Sequence, residues 1–161
     1  MSGVLVAGVG NLFLGDDGFG PAVARLLAGG PALPPGVRVT DYGIRGLHLA
    51  HDLLAGFDTL ILLDALPADG EPSGRVVVLR VDSPDEPHGT FDAHGMNPVA
   101  VLAAVERLGG TVPPTFVVGC RVTDTGERIG LSPAVAAAVP EAAETVRVLL
   151  GRLTSVRPGR S

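Results

Sequence analysis

Apolar residues in this chain fall into short blocks separated by glycine, proline and acidic residues. Residues 4–9, VLVAGV, form a glycine-bounded apolar run, the pattern of a strand buried on both faces. The same reasoning predicts strands over 37–43, 58–65, 74–81 and 114–122. Between them the apolar positions space out as they do on helices. Residues 19–28 read as a helix stopped by Gly29 and Gly30, and 47–54 as a short one. Residues 97–110 form a third, with Asn97 as N-cap and Pro98 in the first turn. Residues 131–153 form a terminal helix capped by Ser132, which Pro140 is expected to break or kink.

Strand and helix patterns alternate, without repeats or a linker. The expected fold is α/β, a three-layer α/β/α domain with a mostly parallel twisted sheet of about five strands. One domain should span 1–153, with a flexible tail over 154–161. In such sheets ligands bind beyond the carboxyl ends of the strands. The residues expected there are Asn11, Asp16 and Asp17 after the first strand, and Asp41, Tyr42 and Gly43 after the second. Asp64 ends the third, a loop with Asp92 and His94 follows the fourth, and Arg121 and Asp124 follow the fifth.

Composition narrows the function. The 161 residues are 46% hydrophobic with 4% aromatic, which suits a Val/Leu/Ala core better than an aromatic-rich binding surface. Net charge is -5 and every cation is arginine, so no basic stripe supports nucleic-acid binding. The start lacks a signal-peptide layout and no apolar run reaches membrane-spanning length, so a soluble cytoplasmic protein is expected. Cys120 is the only cysteine; it excludes an internal disulfide and reads as a buried strand residue.

Three chemistries can be weighed against the strand-end residues. A dinucleotide site has the first two glycines of GVGNLF but Phe13 where the third belongs, and the loop's carboxylates repel a pyrophosphate. A Walker loop or a phosphoacceptor receiver domain needs a lysine, and there is none. A metal site fits better: Asp17, Asp64 and His94 offer two carboxylates and an imidazole, a set suited to zinc or nickel with positions left open. Plainer roles stand beside it. Asp16 or Asp17 could cap the first helix, Asp64 a turn, and His94 could be a loop residue; His48, His51 and His88 read as solvated or packed.

The ordered set LVAGVGNLFLGDDGFGPAVARLL, DYGIRG, LILLDAL, DAHGMNPVAVL and VVGCRV…IGLSPAV resembles the hydrogenase maturation endopeptidases, over nearly the whole chain. The resemblance implies an endopeptidase with aspartates at its centre. Its partner would be a nickel-loaded hydrogenase large-subunit precursor, from which it removes the C-terminal extension. The nickel, delivered by the substrate, would serve as the recognition element, with cadmium or zinc able to replace it in crystals. The family's metal-binding acids fall on Asp17, where the family often has Glu, and on Asp64; its histidine falls on His94. Its substrate-recognition turn falls on Asp41, Gly43 and Gly46. Asp16 would hold Asp17, cap a helix or act as general base. A monomer is expected. The alternatives are a nickel-binding accessory protein that never cuts, and a small-molecule metallohydrolase on the same fold.

Overall fold

A computed structural model describes residues 3–81 and 98–155 of the chain. The strands are β1 (Val4–Val9), β2 (Val37–Gly43), β3 (Thr59–Pro67), β4 (Val76–Val81) and β5 (Thr115–Val122). The helices are α1 (Phe19–Gly29), α2 (Gly46–Leu53), α3 (Pro98–Arg107) and α4 (Pro133–Ser155), and a 3-10 turn, Gly15–Gly18, precedes α1. The five strands form one sheet in the order β2-β1-β3-β5-β4. β1, β2, β3 and β5 are parallel, and β4 closes one edge antiparallel to β5.

Alternation along the buried strands divides the interior into two layers. Val4 and Val6 of β1 face one core with Ile61, Leu63, Val118 and Cys120, covered by Phe19, Val23 and Leu27 of α1 and by Val135, Ala142, Val146 and Leu150 of α4. Leu5 and Ala7 face the other with Leu60, Leu62 and Val117, covered by Leu49 and Leu53 of α2 and by Leu102 and Val105 of α3. Both faces of β1 and β3 are therefore dry, and their sequences are continuously apolar for that reason. The expected three-layer architecture is what the chain adopts.

Three expectations need correction. α4 runs as one 23-residue helix through Pro140. The ring sits on the exposed side, while Val135 and Ala138 before it and Ala142, Ala143 and Val146 after it are buried in one core. Packing on both sides of the proline outweighs the loss of one helical hydrogen bond. The helix also continues through Ser155, past the tail boundary expected at 154; the rest of the tail lies outside the described residues. Finally, β4 is antiparallel, so its carboxyl end points away from the edge where the other strands end.

Candidate active site

The first strand hands over to α1 through a segment packed with almost no clearance. A Cβ on Gly20 would overlap the carbonyl oxygens of Val9 and Leu63. A Cβ on Gly8 would lie 2.7 Å from the Gly20 oxygen. Gly10, at φ +144, has its missing side chain against the Asp17 carbonyl. These glycines let the first turn of α1 rest directly on the carboxyl ends of β1 and β3. That contact brings Asp17 to the edge where Asp64 stands.

Asp64 lies inside β3 rather than at its end, paired with Gly119 of β5. The pairing of β1 with β3 ends one position earlier, at Gly8 with Leu63, and β3 runs on to Pro67 while β1 ends at Val9. Asp64 is 5% exposed. Burial pushes its carboxyl well above the ordinary value of 3.8, and the nearby Asp17 charge pushes it further. Two carboxylates from different elements are thus near enough to repel, Asp64 buried and Asp17 half-buried. The Asp17 Oδ2 accepts the Asn11 N–H at 2.7 Å, which fixes its orientation. Asn11 in turn accepts the Phe13 N–H at 2.9 Å through its own side chain.

Asp16 points elsewhere. It is fully buried, and its two oxygens accept the Ser132 N–H at 2.6 Å and the Ser132 hydroxyl at 2.8 Å. Ser132 immediately precedes α4, and its carbonyl accepts the Ala136 N–H at 2.8 Å. The carboxylate therefore satisfies a donor at the start of α4, 116 residues away in sequence. Neither acid caps α1, whose N-cap is Gly18 without a side-chain bond. Backbone bonds reinforce this clamp: the Gly15 N–H reaches the Arg128 oxygen at 2.8 Å, and the Asp16 N–H the Asp124 oxygen at 3.0 Å. The pairing of the loop after β1 with the loop after β5 left no periodic signal in the sequence. Only the adjacency of Ser132 and Pro133, itself a helix-start pattern, hinted that a partner was needed.

The turn after β2 joins the same edge. The Gly10 N–H donates to the Gly43 oxygen at 2.9 Å. Asp41 accepts the Gly43 N–H at 2.9 Å, shaping a turn in which Gly43 takes φ +58, and pairs with Arg25 at 3.3 Å. Gly46 opens α2. The Tyr42 hydroxyl donates to Asp52 at 2.6 Å; the bond lowers the Asp52 carboxyl, while burial foremost, and then the same bond, raise the phenol. His94, Asp92 and His88 lie outside the described residues, as does Asn97. α3 begins four residues after His94 and packs on the face that carries Leu60 and Leu62, four and two positions before Asp64. Because α3 leads back to the start of β5, its first turn lies toward the carboxyl edge. Cys120 is a buried core residue, its thiol pushed up to about 11, chiefly by burial.

A profile of the hydrogenase maturation protease family matches residues 21–148. The chain belongs to the hydrogenase maturation protease family. It is 34% identical over 155 residues to a putative hydrogenase maturation protease of Methanocaldococcus jannaschii, covering 93% of this chain and 96% of that one. It is 30% identical over 148 residues to the hydrogenase 2 maturation protease of Escherichia coli, covering 91% and 90% of the two chains. The fold superposes on the hydrogenase maturating endopeptidase HybD of Escherichia coli with a TM-score of 0.81, at 29% identity over 93% of each chain. The maturation protease is thus a peptidase, and the non-enzymatic alternative is set aside. Among the described residues no group of three or more histidine, cysteine, aspartate or glutamate side chains stands ready to hold a metal. No helix among them is long and apolar enough to cross a membrane.

Proposed function

We propose that this maturation protease cuts the C-terminal extension from a nickel-loaded hydrogenase large-subunit precursor, with Asp17, Asp64 and His94 engaging the nickel as part of the substrate. The observation that carries this reading is the paired carboxylate corner. Burial and the Asp17 charge both disfavour ionised Asp64, and an arriving divalent cation would relieve both. Hard and borderline cations take carboxylate oxygens readily, and an imidazole completes a set suited to nickel. The resemblance assigns that imidazole to His94, four residues before α3.

Peptide hydrolysis requires water to add to the scissile carbonyl and a proton to reach the departing amine. A substrate-borne divalent ion can polarise that carbonyl or acidify a water. The chain's own contribution is to orient the ion. Asp17 is held by the Asn11 amide, and Asp64 by a strand flanked on one side by β5. Asp16 contributes through position, since its oxygens are engaged by Ser132.

The test uses nickel-loaded and nickel-free precursor with the intact protease and a gel-mobility readout of cleavage. Asp17→Asn, Asp64→Asn and His94→Ala should each remain folded by circular dichroism and leave the nickel-loaded precursor uncut. Cleavage of nickel-free precursor at the wild-type rate would remove nickel from the reading. Full processing by all three variants would remove the site.

A further inference from the structure

Two large apolar side chains stand out in water close to Asp17. Phe13 is 66% exposed and Ile129 is 74% exposed. They belong to different loops, one after β1 and one after β5, and those loops are tied together. Leu14 and Arg128 form a parallel bridge, in which the Arg128 N–H donates to the Phe13 oxygen at 3.0 Å and the Gly15 N–H to the Arg128 oxygen at 2.8 Å. Phe13 precedes one half of this bridge and Ile129 follows the other. The Phe13 N–H is held as well, by the Asn11 side-chain oxygen at 2.9 Å. Neither side chain belongs to either core. A chain with five phenylalanines thus keeps one of them exposed on a braced support, and core packing does not account for it.

We propose that Phe13 and Ile129 form an apolar subsite for the precursor, taking an apolar side chain that lies within about four residues of the cut. The inference rests on the proposed reading that Asp17 and Asp64 mark the place of cleavage. Position argues for this occupant. The Asn11 N–H donates to Asp17 at 2.7 Å, and the Asn11 side chain accepts the Phe13 N–H, so two hydrogen bonds link the acid to the subsite. A chain lying over Asp17 passes Phe13 within a few residues. Charge sets the chemistry of the occupant. Arg128 is the one cation on these two loops and is already paired with Asp124, while the Asp16 carboxylate is taken up by Ser132. Glu127 is exposed and repels an acidic residue. What the two loops offer is apolar surface on a fixed backbone, an aromatic ring foremost, which loses little side-chain freedom when covered.

Steady-state cleavage of nickel-loaded precursor is measured for the wild type, Phe13→Ser, Ile129→Ser and the double variant. Because both side chains are exposed, all variants should keep the wild-type circular dichroism spectrum and urea midpoint. The double variant should raise KM at least about tenfold and leave kcat within severalfold. In a second series each apolar precursor residue within four of the cut is replaced in turn by Ser. One replacement should raise KM for the wild type about tenfold and change little for the double variant, because the contact is already lost. An unchanged KM in the double variant, a loss in kcat alone, or precursor replacements that all act equally on wild type and double variant would each overturn the inference. So would self-association of the wild type that Phe13→Ser abolishes with KM unchanged, since it assigns the surface to a second copy. Failure of the proposed function shows separately, as nickel-loaded precursor left uncut by the wild type. Binding by biolayer interferometry then still decides the subsite, supported by weaker binding of the double variant and overturned by equal binding.

Discussion

Asp16→Ala distinguishes a clamp from a base. The substitution removes two short hydrogen bonds, to the Ser132 N–H at 2.6 Å and to the Ser132 hydroxyl at 2.8 Å. The hydroxyl is only half-buried and can turn toward water. The N–H at the start of α4 has no such freedom, and an orphaned donor of this kind costs about 1–3 kcal/mol. Loss of a carboxylate from a helix N-terminus adds about 0.3–1 kcal/mol. Together the expected loss is about 1–4 kcal/mol, which for a chain of this size lowers Tm by about 3–16 °C.

Urea denaturation followed by circular dichroism measures the loss, and a cycle with Ser132→Ala apportions it. If the two side chains act as one unit, their coupling should reach about 1–2 kcal/mol. Asp16→Asn is the control for chemistry, because its amide oxygen still accepts the Ser132 N–H while the basic carboxylate is gone. A clamp predicts that Asp16→Asn processes precursor within severalfold of wild type. Removing a general base would instead cost about 10²–10⁴-fold in rate with little change in stability. A fully stable Asp16→Ala, or a stable Asp16→Asn that cannot cut, would refute the assignment of Asp16 to structure.

Gly20→Ala should be among the most damaging single-methyl additions, because the new Cβ meets the main-chain oxygens of Val9 and Leu63, which cannot turn aside. Overpacking of this kind costs about 1–3 kcal/mol or more, and α1 must lift off the sheet, so both the urea midpoint and precursor processing should fall. Asp64→Asn should do the reverse for stability while abolishing processing. The native carboxyl titrates above its ordinary 3.8, so the stability it contributes is complete below that value and is lost as pH rises through the native pKa. In chelator, the gain in Tm from Asp64→Asn should therefore grow from mildly acid toward neutral pH, at about 2–4 °C per kcal/mol. A gain that is flat or falls with rising pH would contradict the raised value.

The layering of the fold was legible because burial on two faces leaves an unmistakable apolar run, as in Val4–Val9 and residues 59–63. The strand direction of Val76–Val81 was not. Apolar periodicity is the same for parallel and antiparallel strands, and only the short connection across residues 68–75 favours a hairpin-like return. Asp17 and Asp64 were legible as candidates because carboxylates amid apolar runs need a reason. Their convergence was not, because it depends on β3 outrunning β1 by a few residues. Pro140 misled because its helix-breaking tendency is local, whereas the packing that holds α4 together is spread over several turns.

The adjacency of Asp16 and Asp17 follows from the tightness of the 3-10 turn that contains them. Successive residues of such a turn point about 120° apart, so neighbouring side chains must serve different surroundings. One direction leads inward to the start of α4, where a buried donor needs an acceptor and Asp16 supplies it. The other leads to the open edge beside Asp64, where Asp17 is oriented by the Asn11 amide. The two charges are tolerated side by side because each faces its own set of donors rather than the other carboxylate. Exchanging the pair for one acid and one apolar residue would therefore fail in two distinguishable ways. Loss at position 16 releases the clamp on α4, and loss at position 17 leaves the clamp intact while emptying the corner that faces Asp64.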